Sequence, residues 1–375
     1  MTKTLPIFLT FLLMGVADAM GPLSSAVSKN PVMAALMPFF VFIAFAIFSV
    51  PGGVLAARIG KKNLLLLGLT LCSVAVAVPS FFDPPFILLL AAIFLLGIGT
   101  TFLQVAGNPI MRDVSPEGDY SRNLALAQGI KGLGSTASAY LVTAVTSIAL
   151  FAAMGWRGAF PIFFILMVAA LLSVLSLRID ETRSEIPPSI GNSMALLKES
   201  PFALAVLGIF LYVGAEVCLA TFLKPAFLRL GFGESQAALL GPSLFLLSIT
   251  AGRLVAGSIR LAAQTFFRIS ALLGLIGLAT ILSGIDALIV PAVLLSGLGF
   301  ANIWPMLFAI TVEKKPERSS ELSGLMCMAI SGGALIPLIM GQLGGGGSSL
   351  PFIVPTLCFV YLVLLAFWGR KTQGA

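Results

Sequence analysis

The chain has 375 residues, of which 58% are hydrophobic and 10% charged, and it contains no histidine. Soluble domains carry about a quarter charged residues, so a mean hydropathy of +1.07 puts this chain in a bilayer, and the missing imidazoles exclude histidine metal ligands, histidine proton relays and a Ser/His/Asp triad. The formal net charge of +7 does not signal nucleic acid, because no basic run interleaved with aromatics stands on a soluble segment.

Apolar stretches of roughly 20 to 28 residues match the ~30 Å of hydrocarbon that a helix must cross. Backbone groups inside lipid have to satisfy one another, which excludes open sheets. The stretches fall at 5–27, 32–57, 63–81, 85–111, 122–150, 159–178, 200–228, 235–259, 265–284, 288–312, 320–343 and 350–369. They predict an all-α integral membrane protein with twelve spans. The first carries Asp18 and no small-residue cleavage site follows it, so it reads as a retained span, not as a signal peptide. With the N-terminus in the cytoplasm, that side takes Lys3, Arg58, Lys61, Lys62, Arg112, Arg122, Arg178, Arg183, Lys198, Arg253, Arg260, Arg268, Lys314, Lys315, Arg318, Arg370 and Lys371, while Lys29, Arg157 and Arg229 stay opposite. This asymmetry predicts both termini inside.

The polar residues within spans come in helical pairs. Gln104 and Asn108 are i and i+4 in the fourth span, Gln128 and Lys131 are i and i+3 in the fifth, and Tyr212 and Glu216 are i and i+4 in the seventh, so each pair shares a face. Lys131 stands nine residues past Arg122, ~13 Å along the axis at ~1.5 Å per residue, too deep for its ammonium to snorkel out. An ionisable group at that depth costs about 2.5–3.5 kcal/mol and marks a functional position with a partner. Asp18 is the expected partner, as a transport device or as a neutralised packing pair. Asn302, Trp304 and Pro305 cluster in the tenth span, where Trp304 suits stacking on an apolar ring face or packing between helices. Pro337 after Gly332 and Gly333 offers a bend in the eleventh.

The polar segment RIDETRSEIPPSIGNSMALLKES divides the spans into two sets of six. The expected domains are a six-helix bundle over 1–178, a cytoplasmic linker over 179–199 and a second bundle over 200–375. Pro187 and Pro188 interrupt the linker, SMALLKES forms a short surface helix, and the whole reads as a solvated connector. GGVLAARIGKK from Gly52 and AGRLVAGSIR from Ala251 close equivalent spans at an offset of 199 residues, which sets Asp18 beside the level of Glu216. Such parallel repeats, related by an axis along the membrane normal, place a substrate site between halves near the midplane. Cys72, Cys218, Cys327 and Cys358 sit in apolar spans at unrelated spacings, giving neither a disulfide framework nor a zinc site. The run Gly344 to Gly347 has no Lys-Ser/Thr sequel, so it is no phosphate cradle.

GGVLAARIGKKNLLLLG resembles the loop signature of the major facilitator superfamily, Gly-x-Leu-Ala-Asp-Arg-x-Gly-Arg-Lys, with Ala57 where that signature is acidic. FLQVAGNPI, RNLALAQGIKGLGS, FLYVGAEVCLATFL, GRLVAGSIR, ANIWPMLFAI and SGLMCMAISGGALIPLIMGQL together resemble its fucose, galactose and glucose symporter family. The resemblance implies a monosaccharide carrier working by alternating access. It also implies acidic coupling residues at the positions of Gln104 and of Gly21 or Pro22, and an asparagine at Lys131, one turn after a glutamine matching Gln128; this chain departs at all of these but the glutamine.

The leading expectation is therefore a secondary active sugar transporter, cation-coupled, with a proton or sodium as the coupling ion and no cofactor. Its substrate would meet Asp18, Gln104, Asn108, Gln128, Lys131, Tyr212, Asn302 and Trp304; Asp18, Lys131 and Glu216 would couple; Arg58, Arg122 and Arg253 would gate. The expected partners are a small sugar and the lipid bilayer, with no nucleic acid, for a monomer in a bacterial inner membrane. Two alternatives share the fold: a carrier of an acidic sugar or organic acid with Lys131 as counter-charge, and an uncoupled sugar facilitator. A membrane enzyme is set aside because no nucleophile, metal cluster or cofactor spacing is present, and a sensor because no loop is long enough for an output domain.

Overall fold

A computed structural model describes residues 4–17, 27, 31–145, 148, 153–181, 187–343 and 349–368. All regular structure among them is helical, in the order α1 Leu5–Met14, α2 Pro31–Ile59, α3 Lys61–Phe81, α4 Phe86–Val114, α5 Tyr120–Ala144, α6 Phe160–Leu175, α7 Ile190–Ala195, α8 Ser200–Arg229, α9 Glu234–Ala238, α10 Leu244–Ser258, α11 Ala263–Leu282, α12 Ile289–Ala301, α13 Ile303–Glu313, α14 Ser319–Met328, α15 Gly332–Gln342 and α16 Ile353–Phe367.

Ten of these helices or end-to-end helix groups are long and apolar enough to cross a membrane. The other two predicted positions hold α1, a shorter apolar helix, and α5, whose Asn123, Gln128, Lys131, Ser135, Thr136 and Ser138 make it the polar exception. Prolines are tolerated where the backbone loses little. Pro6, Pro161 and Pro201 sit in first turns, where an N–H has no intrahelical partner anyway. Three groups are broken internally: a π-helical turn at Leu239–Ser243, a kink at Asn302, and a 3-10 turn at Ala329–Ser331. The last lies directly before Gly332 and Gly333, and Pro337 itself lies inside α15. The bend falls upstream because Ser331, Gly332 and Gly333 are poor helix formers, and because Gly332 is pressed against the Phe210 carbonyl of α8, where a Cβ would collide.

The described helices fall into two compact units. The first comprises residues 1–120, 130–195 and 315–328; the second comprises 121–129, 196–314 and 329–375. In the first, α1 crosses α5 through Gly15 and Gly134, whose added Cβ atoms would run into Ser135 and the Leu12 carbonyl. Small residues allow this backbone approach, which gives helices in lipid their dispersion contacts. In the second, Gly299 lies against Gly274 of α11, and Phe300 stacks at 4.2 Å on Phe359 of α16.

The basic cluster after α2 does more than mark topology. Gly60 turns the chain at φ 97°, ψ 149°, a region open essentially to glycine. This aims the free N–H groups of α3 at Glu181, whose two carboxylate oxygens accept from the Lys61 and Lys62 amides at 2.8 Å each. A carboxylate at a helix N-terminus is favoured by the helix dipole. Lys61 itself is buried and pairs with buried Asp113 of α4 at 2.6 Å. Nor is the linker simply solvated: Ser193 and Leu196 are buried, and Arg58 donates to the Pro188 carbonyl at 3.1 Å.

Gly60→Ala should therefore destabilise the protein by about 1–3 kcal/mol, since its Cβ would also stand 2.9 Å from Glu181 Oε2. Thermal unfolding in detergent, followed by tryptophan fluorescence, checks this; the substitution of exposed Leu67 by Ala further along α3 is the control.

Candidate substrate site

In the first unit, α4 presents Gln104 and Asn108 almost fully buried, at 4% and 0% exposure. Their spacing puts both amides on one stripe, as expected. The Asn108 side chain lies 4.0 Å from the Cys327 sulfur of α14, which Ser323 also meets at 4.0 Å. Tyr120 donates to the Asn108 carbonyl at 3.2 Å. Gln104 makes no side-chain hydrogen bond to any described residue. A buried amide with unused donors and acceptor is costly unless something else meets it.

Lys131 is half-buried on α5, and its charge is felt at Cys327. The helix crossing beside it is tight: a Cβ on Gly15 would stand 2.8 Å from the Lys131 carbonyl oxygen, which also accepts from Ser135 at 3.1 Å. Asp18, the expected partner, lies outside the described residues, as do Gly21 and Pro22.

The second unit holds a network that the sequence did not announce. Pro305 has no N–H, so the Ala301 carbonyl loses its partner one turn on, and the helix breaks at Asn302, with φ −108° and ψ 4°. Arg253 of α10 supplies the missing donor: Nε reaches the Ala301 carbonyl at 3.0 Å, and Nη2 reaches the Tyr212 hydroxyl of α8 at 3.2 Å. Asn302 answers by donating to the Gly252 carbonyl at 3.3 Å, while its own Oδ1 is buried without a partner among the described residues. Glu216, one turn from Tyr212 on α8, is half-buried and interacts electrostatically with the same hydroxyl. Tyr212 thus stands between a cation and a carboxylate.

The remaining residues fall around this frame. Trp304 is 4% exposed and its ring lies 5.5 Å from that of Phe308. Gln128 is buried on the part of α5 that belongs to the second unit, where Gly129 and Leu126 meet Leu254 and Gly257 of α10. Arg122 is half-buried in that same segment, and Arg58 is exposed and tied to the linker. The role of Arg253 was legible only in part: the signal was Pro305, which announces an orphaned carbonyl without saying which donor takes it.

Membrane-length helices, several of them internally broken and carrying buried amides and ions, define a polytopic membrane protein. The chain belongs to the Major Facilitator Superfamily, whose sequence profile matches residues 6–337. It is similar to a protein of Brucella abortus (strain 2308) described as a glucose/galactose transporter, 27% identical over 93% of this chain and 88% of that one. It is also similar to a putative glucose/galactose transporter of Helicobacter pylori (strain ATCC 700392 / 26695), 29% identical over 91% and 88%. In fold it matches a crystal structure of the E. coli fucose:proton symporter with a TM-score of 0.84, at 19% identity, over 98% of this chain and 99% of that one.

Tyr212→Phe deprives a buried guanidinium of one acceptor and should cost about 1.5–3 kcal/mol of stability, measured as a fall in Tm in detergent. Arg253→Lys should cost at least as much, because one ammonium cannot span both the Ala301 carbonyl and the Tyr212 hydroxyl.

Proposed function

We propose that this protein is a secondary carrier for a neutral hexose or close derivative, alternating between inward-open and outward-open states. The observation that carries the reading is Gln104, a buried amide beside Asn108 whose hydrogen-bonding capacity no described residue uses. Sugar hydroxyls demand paired donors and acceptors, and amides supply both. The printed descriptions of the relatives support the substrate class: glucose/galactose transport for two, and fucose:proton symport for the structural neighbour.

In this reading the bundles 1–178 and 200–375 rock about the linker 179–199, with both termini in the cytoplasm of a bacterium and the protein acting as a monomer in its inner membrane. Gln104, Asn108, Gln128, Tyr212, Asn302 and Trp304 meet the sugar. Asp18, Lys131 and Glu216 couple its movement to a proton or sodium gradient, and Arg58, Arg122 and Arg253 gate access. Coupling cannot use a carboxylate at position 104, so the charge that responds to the gradient sits elsewhere, and Lys131, the cation within α5, is the candidate.

A second reading follows from the same lysine. A cation on α5 where the family has a neutral amide suits an anionic sugar or organic acid, with Lys131 as its counter-charge.

Uptake of labelled D-glucose, D-galactose, L-fucose and D-glucuronate into proteoliposomes, under imposed proton or sodium gradients, separates the two. Gradient-driven accumulation of a neutral sugar is expected, and Lys131→Gln should lower it by about tenfold, within the ~1–3 kcal/mol of a typical coupling energy, with membrane insertion unchanged. Uptake restricted to glucuronate would replace the first reading with the second.

A further inference from the structure

At one end of the second unit, where α8 and α11 finish and the chain enters α12 and α16, lies a cavity of about 320 Å³. None of its lining residues belongs to the substrate set above. The membrane-length groups Ser200–Arg229, Ala263–Leu282, Asp286–Glu313 and Leu350–Phe367 all end or begin around it, which sets the cavity at the boundary between hydrocarbon and water. Buried Ala226, Ile281 and Phe352 form part of its wall. Gly284 turns beside it at φ 70°, and a Cβ there would stand 3.2 Å from Ser349 Oγ, so the glycine leaves that side unfilled.

The polar lining consists of Arg229, Thr280, Asp286 and Ser349. Arg229 and Asp286 are exposed, and neither forms an ion pair with any described residue. Two opposite charges thus line one cavity without neutralising each other. The hydroxyls are already committed as donors: Thr280 Oγ1 gives its proton to the Ile276 carbonyl at 2.9 Å, and Ser349 Oγ gives its own to the Leu282 carbonyl at 2.9 Å. A hydroxyl has one proton to give, so what each has left for a ligand is its lone pairs. The cavity therefore offers one fork of donors, on Arg229, and three sets of acceptors. A guanidinium fork matches a phosphate, and a primary ammonium brings three N–H donors to three acceptors. A trimethylated ammonium brings none.

The approach to the cavity is apolar. Along α11, Ile269, Leu272 and Ile276 are exposed at i, i+3 and i+7, and Thr280 follows one turn on, so a single stripe leads along the helix to the polar lining. Ile285, also lining the cavity, is exposed as well. A small soluble zwitterion makes no use of such a stripe, whereas an acyl chain does. We propose that the cavity is a binding site for a phospholipid with a primary-ammonium headgroup, phosphatidylethanolamine in chemical class. Arg229 takes the phosphate; Asp286, Thr280 and Ser349 take the ammonium; one acyl chain runs down α11. The lipid would tie together the ends of four helices of the second unit. Such a site needs only that this unit lie in a bilayer, and it is independent of what the carrier moves.

Native mass spectrometry of the full chain in detergent tests this, with dioleoyl phosphatidylethanolamine, phosphatidylcholine and phosphatidylglycerol added in equal amounts and the first bound lipid identified by its mass. Wild type should retain the ethanolamine lipid over the choline lipid about fivefold, the upper end of what a solvent-reachable ion pair contributes. Asp286→Asn should bring that ratio to about one. Arg229→Gln should weaken retention of all three by about the same factor, because the phosphate is common to them. Both side chains are exposed and unpaired among the described residues, so the variants should keep the wild-type Tm, measured alongside. Equal retention of the ethanolamine and choline lipids by wild type overturns the proposal, as does an ethanolamine preference that survives Asp286→Asn. A preference for the glycerol lipid would make the cavity a plain anion site, and displacement of the bound lipid by water-soluble glycerophosphoethanolamine would make it a site for a soluble zwitterion; either result also overturns it.

Discussion

In hydrocarbon a backbone carbonyl without a donor has no water to turn to, and this constraint organises the second unit. Pro305 frees the Ala301 carbonyl, Arg253 takes it, and the same guanidinium then fixes Tyr212. A single missing N–H thus ties α8, α10 and the α12–α13 break together. The arrangement also accounts for a buried cation: its guanidinium donates to a carbonyl and to a hydroxyl that in turn interacts with Glu216. Asn302 closes the circuit by donating to Gly252 and keeps one acceptor in reserve.

The first unit meets the same constraint with small residues and with carboxylates at helix ends. Gly15 and Gly134 let α1 and α5 approach until backbone faces backbone, and Glu181 satisfies the first amides of α3. The basic loop signature is consumed locally: Lys61 by Asp113, Arg58 by the linker, the α3 terminus by Glu181. A motif that reads as a topology signal in sequence is, in space, a corner brace.

Function in a carrier requires contacts that are strong enough to define a state and weak enough to leave it. Breaks at Leu239–Ser243, Asn302 and Ala329–Ser331 supply places where a membrane helix changes direction without losing its neighbours. π turns and interrupted helices recur at functional sites for that reason. The buried amides of α4 and the half-buried ionic groups of α5 and α8 are the polar groups that these broken, mostly apolar helices carry inward.

Composition and the length of the apolar stretches by themselves determined a polytopic helical membrane protein, and helical spacing alone paired Gln104 with Asn108 and Tyr212 with Glu216. These follow from local physics: hydrophobic thickness fixes span length, and 3.6 residues per turn fixes faces. Only the tertiary structure decided that Arg253 binds the Ala301 carbonyl, that the helix group Pro316–Gln342 is interrupted at Ala329–Ser331, and that a linker which reads as solvated chain is buried at Ser193 against Glu321. Each of those depends on a donor, a carbonyl or a carboxylate brought in from 48 to 128 residues away, or on a neighbouring helix pressing on a glycine. No window of sequence contains both partners, so the pairing exists only once the chain has packed.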